Sequence, residues 1–146
     1  MKKFELTSES VTFLGKTLFR IKALVSFGDV AEGELGGFIE RENNLDQSGD
    51  AWVSGDARVY GNAWVSGDAR VQNCRDYSAT SCFGSENRTT TFFRTKDGGI
   101  SVRCGCFYGT LREFREKVKE RHGDSRLAKE YLMLADLMEF RLSKDE

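Results

Sequence analysis

Four cysteines are the residues of this chain whose chemistry first raises the question of a metal site. Cys104 and Cys106 stand two positions apart, on one face of an extended segment, and Cys74 and Cys82 precede them. With the imidazole of His122, these thiolates would make a donor set suited to tetrahedral zinc. A C-x-C pair with its other donors about 20 to 30 residues away is not a compact zinc motif. We therefore expect reduced thiols that pack as small apolar groups, and no metal or other cofactor.

Acidic residues recur in the glycine turns of the middle segment, at Asp50, Asp56 and Asp68. Calcium sites need several carboxylates that converge on one ion. Each of these aspartates belongs to a separate turn, so we expect its side chain to accept hydrogen bonds within that turn. The sequence also lacks the G-x-x-x-x-G-K-[ST] phosphate loop.

Length and charge narrow the class of protein further. The 146 residues suit one compact domain, and 22 Lys and Arg against 23 Asp and Glu give a net charge of -1. This balance provides no positive field for nucleic acid or an anionic membrane, so we expect neither as a partner. No apolar run reaches the roughly 18 residues that span a bilayer, and MKKFELTSES lacks the apolar core of a signal peptide. We expect a cytoplasmic protein.

A six-residue repeat fills residues 49–72, written GDAWVS, GDARVY, GNAWVS and GDARVQ. In each hexad Ala and Val are two positions apart, so they point to one side of an extended chain. The glycine of each hexad permits a tight bend, and a chain that bends the same way after every hexad must coil. The pattern predicts a parallel β-helix of hexapeptide type, with Ala and Val inside. Its outward positions are Trp52, Arg58, Trp64 and Arg70.

The flanks of the repeat indicate other structure. Residues 1–36 are rich in strand formers and predict an N-terminal β part with a turn at Gly15 and Lys16, and residues 37–84 hold the β-helix. Residues 85–146 predict a cap that begins with a β-hairpin, TTTFFRT and ISVRCGCF around a KDGG turn.

Two helices complete the predicted cap. Thr110 and Glu113 have the spacing of a capping box, and Gly123 ends the first helix. Asp124 is the expected cap of a second helix that runs to about Leu142.

The chain resembles a family of small hexapeptide-repeat proteins from phages and prophages of gut bacteria. The resemblance lies in "FRIKAL", "FGDV" and "GELGGFIE", which lead into the "GDAxV" repeats, and in the closing "GCFYGT". Within the repeat, an aliphatic residue precedes a small one by four positions, as in Val53 and Ala57, which is the left-handed β-helix pattern. The resemblance implies a short left-handed β-helix in a protein of the bacterial host's cytoplasm, but no particular reaction.

Hexapeptide β-helices include acyltransferases, which by resemblance use a histidine as general base near a subunit boundary. His122 is the one histidine, and "KERHGDS" places it at the end of a predicted helix, outside the coil. There it complements the helix dipole as a surface residue. We expect no catalytic residue and no enzyme, with a divergent transferase as an alternative.

The four outward residues of the repeat are the candidates for binding. Trp52 and Arg70 are 18 positions apart and predict a cation–π pair on one face, and the same spacing predicts a charge ladder of Glu40, Arg58 and Asp76. Tryptophan and arginine are enriched at interface hot spots, but they can equally pack under the chain's own cap.

We therefore expect a homo-oligomer, a trimer first and a dimer through the C-terminal helices second. The expected function is a non-enzymatic phage accessory protein that binds a host protein or a small signalling ligand, as a counter-defence inhibitor. A purely structural assembly module is another alternative.

Overall fold

The computed structural model describes residues 2–73, 75–83, 88–104 and 107–143. Within these ranges the chain is mainly β, with two helices at its C-terminal end. The strands are β1 (Phe4–Phe13), β2 (Lys16–Ala23), β3 (Leu35–Ile39), β4 (Trp52–Val53), β5 (Arg58–Val59), β6 (Arg70–Val71), β7 (Tyr77–Phe83), β8 (Arg88–Arg94), β9 (Ile100–Cys104) and β10 (Phe107–Thr110). The helices are α1 (Leu111–His122) and α2 (Arg126–Leu142). Neither described helix is long and apolar enough to cross a membrane.

The N-terminal part is β, as the sequence predicts, and β1 and β2 form an antiparallel hairpin. Its turn is made by Leu14 and Gly15, with φ of 53° and 77°, one position before the predicted turn. Two successive residues at positive φ match the right-handed twist of a tight hairpin. β3 pairs antiparallel with β2 and extends the sheet toward the repeat.

The interior of the repeat is as predicted. Every alanine and valine of the four hexads is buried, with at most 2% of its surface exposed. Neighbouring passes of the chain run parallel: Phe38 pairs with Arg58 and Trp52 with Arg70, while Leu45 forms an isolated parallel bridge to Val65.

The predicted left-handed β-helix is nevertheless wrong. In the described residues the repeat contributes strands of only two residues, divided between the mixed sheet β1-β2-β3-β5 and the separate parallel pair β4-β6. The pairing offset also changes, from 20 residues at Phe38 and Arg58 to 18 at Trp52 and Arg70. A 3₁₀ turn at Glu42–Asn44 lies within the longer pass. Because β3 also pairs with β2, the first pass belongs to the N-terminal sheet, and the described residues form three separate sheets instead of a solenoid.

The third sheet, β10-β9-β8-β7, is antiparallel and contains the predicted hairpin as β8 and β9. One face directs Tyr77 and Phe93 into the core of the repeat. The other face directs Phe92 and Val102 against the two helices. This sheet therefore joins the two apolar clusters of the chain.

The helix ends follow mostly from local sequence. Thr110 Oγ1 accepts from the Glu113 amide and Glu113 Oε1 accepts from the Thr110 amide, which is the predicted capping box. Gly123 ends α1 as predicted. The second helix is capped by Ser125, whose hydroxyl accepts from the Ala128 amide, and not by Asp124.

Candidate ligand-binding site

Trp52 lies inside the chain. Its side chain packs edge-on against Phe27 with ring centroids 5.4 Å apart, and only 3% of the residue is exposed. The N-terminal part of the protein thus covers this ring, and Trp52 presents no surface to a ligand.

Arg70 ties a loop to the repeat. It lies opposite Trp52 in the parallel pair, but its guanidinium is bound elsewhere, donating to the Asp50 carbonyl and forming a 2.8 Å ion pair with Asp29. Because its charge is compensated by Asp29, Arg70 stabilises the contact between this loop and the repeat.

The predicted ladder around Arg58 is not formed. Glu40 pairs with Lys16 and Arg41, and Asp76 pairs with Arg94. The carboxylates of Glu40 and Asp76 thus form ion pairs with other basic residues, and Arg58 belongs to neither pair.

Trp64 is half-buried under the third sheet. The Arg103 guanidinium, from β9, stacks on its ring at 3.5 Å from the centroid. The Trp64 amide donates to Thr91 Oγ1 at 3.1 Å. Trp64 therefore joins the repeat to the third sheet. Of the two alternatives left open by the sequence analysis, this is packing under the chain's own cap.

Arg58 is the outward residue whose charge the fold leaves uncompensated. Its guanidinium lies over the Phe13 ring at 5.0 Å, and no described carboxylate lies within ion-pair distance of it. Its Nε is buried and has no hydrogen-bond partner in the described part of the chain. An unsatisfied polar group of this kind costs roughly 1–3 kcal/mol, more when it is charged.

Arg58 opens into a cavity of about 520 Å³ formed by four separate elements. The end of β1 provides Phe13, the second hexad provides Arg58 and Tyr60, β7 provides Tyr77, and the end of α2 provides Arg141. The rest of the lining is Asp56, Asn73, Ser78 and Ala79.

The aromatic side of the cavity is built from residues that contact one another. Tyr60 meets Phe13 edge-on at 5.4 Å, and the Tyr77 hydroxyl donates to the Arg58 carbonyl at 2.7 Å. Phe13, Arg58 and Tyr77, which belong to β1, β5 and β7, are thus brought together at this side of the cavity.

The lining favours an anion with a flat apolar part. Arg58 brings to this wall a positive charge that has no described carboxylate within ion-pair distance. Guanidinium groups bind carboxylate and phosphate through paired hydrogen bonds, and aromatic edges and faces favour a planar ring.

The residues considered for metal or base chemistry lie elsewhere. His122 stacks on Tyr131 at 5.8 Å, at the end of α1. Cys104 is a free thiol that accepts from Thr90 Oγ1 at 3.3 Å. Cys74 and Cys106 fall outside the described residues, as does the side chain of Cys82. The part of the chain that the structure describes holds no group of three or more His, Cys, Asp or Glu suited to a metal.

Sequence reasoning found Arg58 but missed the residues around it, namely Phe13, Tyr60, Tyr77 and Arg141. Tyr60 carried a visible signal, since it ends a hexad where Trp-containing hexads have serine.

Comparison with known proteins adds no relative. No protein-family model matches the chain. No curated protein shows significant similarity to it. The resemblance to phage hexapeptide-repeat proteins therefore stays a prediction.

Proposed function

We propose that this chain is a non-enzymatic binding protein that takes a small anionic ligand with a planar ring in the Arg58 cavity. The observation that carries the proposal is the charge of Arg58, a residue that lines a 520 Å³ cavity and has no described carboxylate within ion-pair distance. An anionic group on a ligand would compensate this charge.

Nucleotides are the ligand class that fits the lining best. A phosphate suits the fork of a guanidinium, and a base suits the rings of Phe13 and Tyr60. The volume lies within the roughly 300–1,000 Å³ of small-molecule sites. The Arg58 guanidinium favours a ligand with at least one negative charge.

Binding is proposed rather than catalysis because the lining offers few reactive groups. Among the described lining residues Asp56 is the one carboxylate, and neither an imidazole nor a thiol is present. Combined with the resemblance to phage proteins, this supports a protein that sequesters a nucleotide signal of its bacterial host. The compartment that this role implies is the host cytoplasm.

Isothermal titration calorimetry tests the proposal directly. AMP, ADP and a cyclic dinucleotide are titrated into the protein, with adenosine and inorganic phosphate as the two half-ligands. We expect at least one nucleotide to bind more tightly than either half, since both the charge and the ring contribute.

Arg58→Met identifies the site. It keeps a side chain of similar length over Phe13 but removes the charge, so affinity should fall about 10- to 100-fold, the worth of one charge-assisted contact. The control is Arg112→Gln, which removes one charge from an exposed position on α1. The proposal fails if no nucleotide binds, or if Arg58→Met and Arg112→Gln bind equally well.

A further inference from the structure

A second cavity, of about 430 Å³, is lined both by the repeat and by the C-terminal part of the chain. The turn of the last hexad provides Asp68, the turn between β8 and β9 provides Asp97, and the first turn of α1 provides Glu113. We call this space the acidic cavity. It shares no lining residue with the Arg58 cavity, so it is a separate place on the molecule.

The carboxylates of the acidic cavity lack a cation. Among the described residues that line it none is basic, and the ion pairs of the described chain involve other carboxylates. Lys96, next to Asp97 in the sequence, is exposed and lies outside the lining, and Arg112, next to Glu113, pairs along its own helix. A cleft lined by one sign of charge concentrates ligands of the opposite sign. Asp68, Asp97 and Glu113 therefore favour a cationic ligand.

Each of the three carboxylates keeps an oxygen for such a ligand. Asp97 uses Oδ1, which accepts from Thr95 Oγ1 at 2.6 Å and from the Gly99 amide at 3.3 Å, and these bonds lower the pKa of Asp97. Glu113 uses Oε1 for the capping box. Asp97 Oδ2, Glu113 Oε2 and both carboxylate oxygens of Asp68 accept no hydrogen bond from the described residues.

Ser101 is an independent sign of a ligand. The residue is only 7% exposed, and what remains exposed of it lines the acidic cavity, yet its hydroxyl has no hydrogen-bond partner among the described residues. In the third sheet Ser101 lies opposite Phe93 and Thr110, so its side chain is on the face that packs against the repeat and its Asp68 turn. A buried hydroxyl without a partner destabilises the protein, and a ligand that hydrogen-bonds to it would satisfy it.

The spread of the carboxylates argues against a metal ion. Calcium and magnesium need several oxygen ligands at about 2.0–2.6 Å from one centre. In the described ranges no three Asp, Glu, His or Cys residues are grouped closely enough to hold such an ion. Charges that are spread along a cavity suit a flexible ligand whose own charges are separated. Tyr108, which is 41% exposed and also lines the cavity, offers an aromatic ring to such a ligand.

We propose that the acidic cavity binds a linear aliphatic polyamine, a small molecule with two or more ammonium groups. Its ammonium groups donate to the free carboxylate oxygens of Asp68, Asp97 and Glu113, and one of them also donates to Ser101 Oγ. The methylene chain between them packs along the Tyr108 ring, which also attracts the neighbouring positive charge. This ligand differs in charge and in place from the one proposed for the Arg58 cavity.

Isothermal titration calorimetry of the full chain tests the proposal. Spermidine, which carries three positive charges, is titrated at low ionic strength beside putrescine with two and n-butylamine with one. We expect one spermidine per chain, with a dissociation constant of about 100 µM to 1 mM because exposed ion pairs are individually weak. Putrescine should bind less tightly, and n-butylamine at least about 5-fold less tightly than spermidine.

Two double variants of equal net charge locate the site. Asp68→Asn combined with Glu113→Gln removes two of the three charges and keeps the capping box, since glutamine also serves at that position. Spermidine affinity should fall about 5- to 25-fold. The control combines Asp124→Asn with Glu130→Gln, at two exposed carboxylates outside the cavity, and should bind spermidine as the unchanged protein does.

Ser101→Ala tests the hydroxyl by itself. The change breaks no hydrogen bond of the described chain, so thermal stability should be equal or higher, while spermidine affinity should fall about 2- to 10-fold. Mg²⁺ and an end-blocked trilysine peptide, which matches the charge of spermidine, are titrated in parallel. Absence of spermidine binding at about 5 mM, or equal affinity of the two double variants, would overturn the proposal. Tighter binding of Mg²⁺ or of trilysine would overturn it in favour of an ion site or a protein partner.

Discussion

The Tyr108 hydroxyl occupies the space in which a side chain at Gly67 would begin. A Cβ built on Gly67 overlaps the phenol oxygen and also crowds the ring carbon that bears it. Gly61 holds the equivalent position one hexad earlier with the same φ of 68°, and a Cβ there meets nothing within 4 Å. Of these two glycines, Gly61 is required by the backbone alone, and Gly67 is required also by the third sheet.

Gly67→Ala should therefore cost more than Gly61→Ala. Both changes place alanine at positive φ, at about 1–2 kcal/mol each. Gly67→Ala must in addition displace Tyr108, for a total of about 2–5 kcal/mol. Chemical denaturation of the two variants measures the difference, and equal losses would show that Tyr108 moves aside freely.

Asn44 is a buried amide that joins two passes of the chain. Its Oδ1 accepts from the amides of Glu40 and Arg41, and its Nδ2 donates to the carbonyls of Gly61 and Ala63. All four bonds lie within 3.1 Å, and the side chain is fully buried.

Asn44→Asp should lower the free energy of unfolding at neutral pH by about 3–5 kcal/mol. The change replaces two donated hydrogen bonds with a buried carboxylate that faces two carbonyl oxygens. Asn43→Asp makes the same chemical change at an exposed neighbour and should cost less than about 0.5 kcal/mol. Urea denaturation compares the two, and a small loss for Asn44→Asp would mean that the turn can rearrange.

Lys3 makes the free energy of unfolding depend on pH in the alkaline range. Its ammonium group is buried, donating to the carbonyls of Ser48, Gly49 and Ala51, and burial lowers its pKa from 10.5 to about 8, against the opposing pull of Asp46 and Asp50. Between pH 8 and 10.5 the unfolded chain binds this proton and the folded chain does not, so the contribution of Lys3 to stability rises with pH.

The rise should amount to at most about 3 kcal/mol, from 1.36 kcal/mol per unit of pKa. It is measured as the difference between the unchanged protein and Lys3→Met, denatured with urea at several pH values from 7 to 11. Lys22→Met, at an exposed lysine, should show the same pH dependence as the unchanged protein. A flat difference for Lys3→Met would mean that water reaches the ammonium group.

Arg58→Met should stabilise the ligand-free protein, by about 1 kcal/mol. The change removes a buried Nε that lacks an acceptor and keeps an apolar side chain on Phe13. Stability gained where binding is lost is typical of a functional residue. Thermal unfolding without nucleotide tests this, and a clear loss of stability would assign Arg58 to the fold.

The sequence predicted what depends on near neighbours. Alternation of Ala51 with Val53 showed which side of the hexads faces inward, and the spacing of Thr110 and Glu113 showed where α1 begins. The serine cap of α2 was missed because Asp124 and Ser125 are both good cap residues and only the backbone path separates them.

Contacts between distant segments could not be predicted in this way. Trp52 is buried because Phe27 reaches it from the N-terminal loop, and the mixed sheet forms because β3 pairs with both β2 and β5. The cavity has the same origin, since Phe13 and Arg141 meet Arg58 from opposite ends of the chain. The periodicity of the sequence contains no information about which distant segments contact each other.

The late position of the third sheet in the sequence also determines when the apolar core of the repeat is completed during synthesis. The first sheet has all its strands once residue 59 has left the ribosome, because its partners are close in sequence. The valines of the later hexads then still lack Phe93, which belongs to β8 and follows much later. During that interval the apolar side of these hexads lacks its cover, and exposed apolar surface of this kind favours aggregation of a nascent chain.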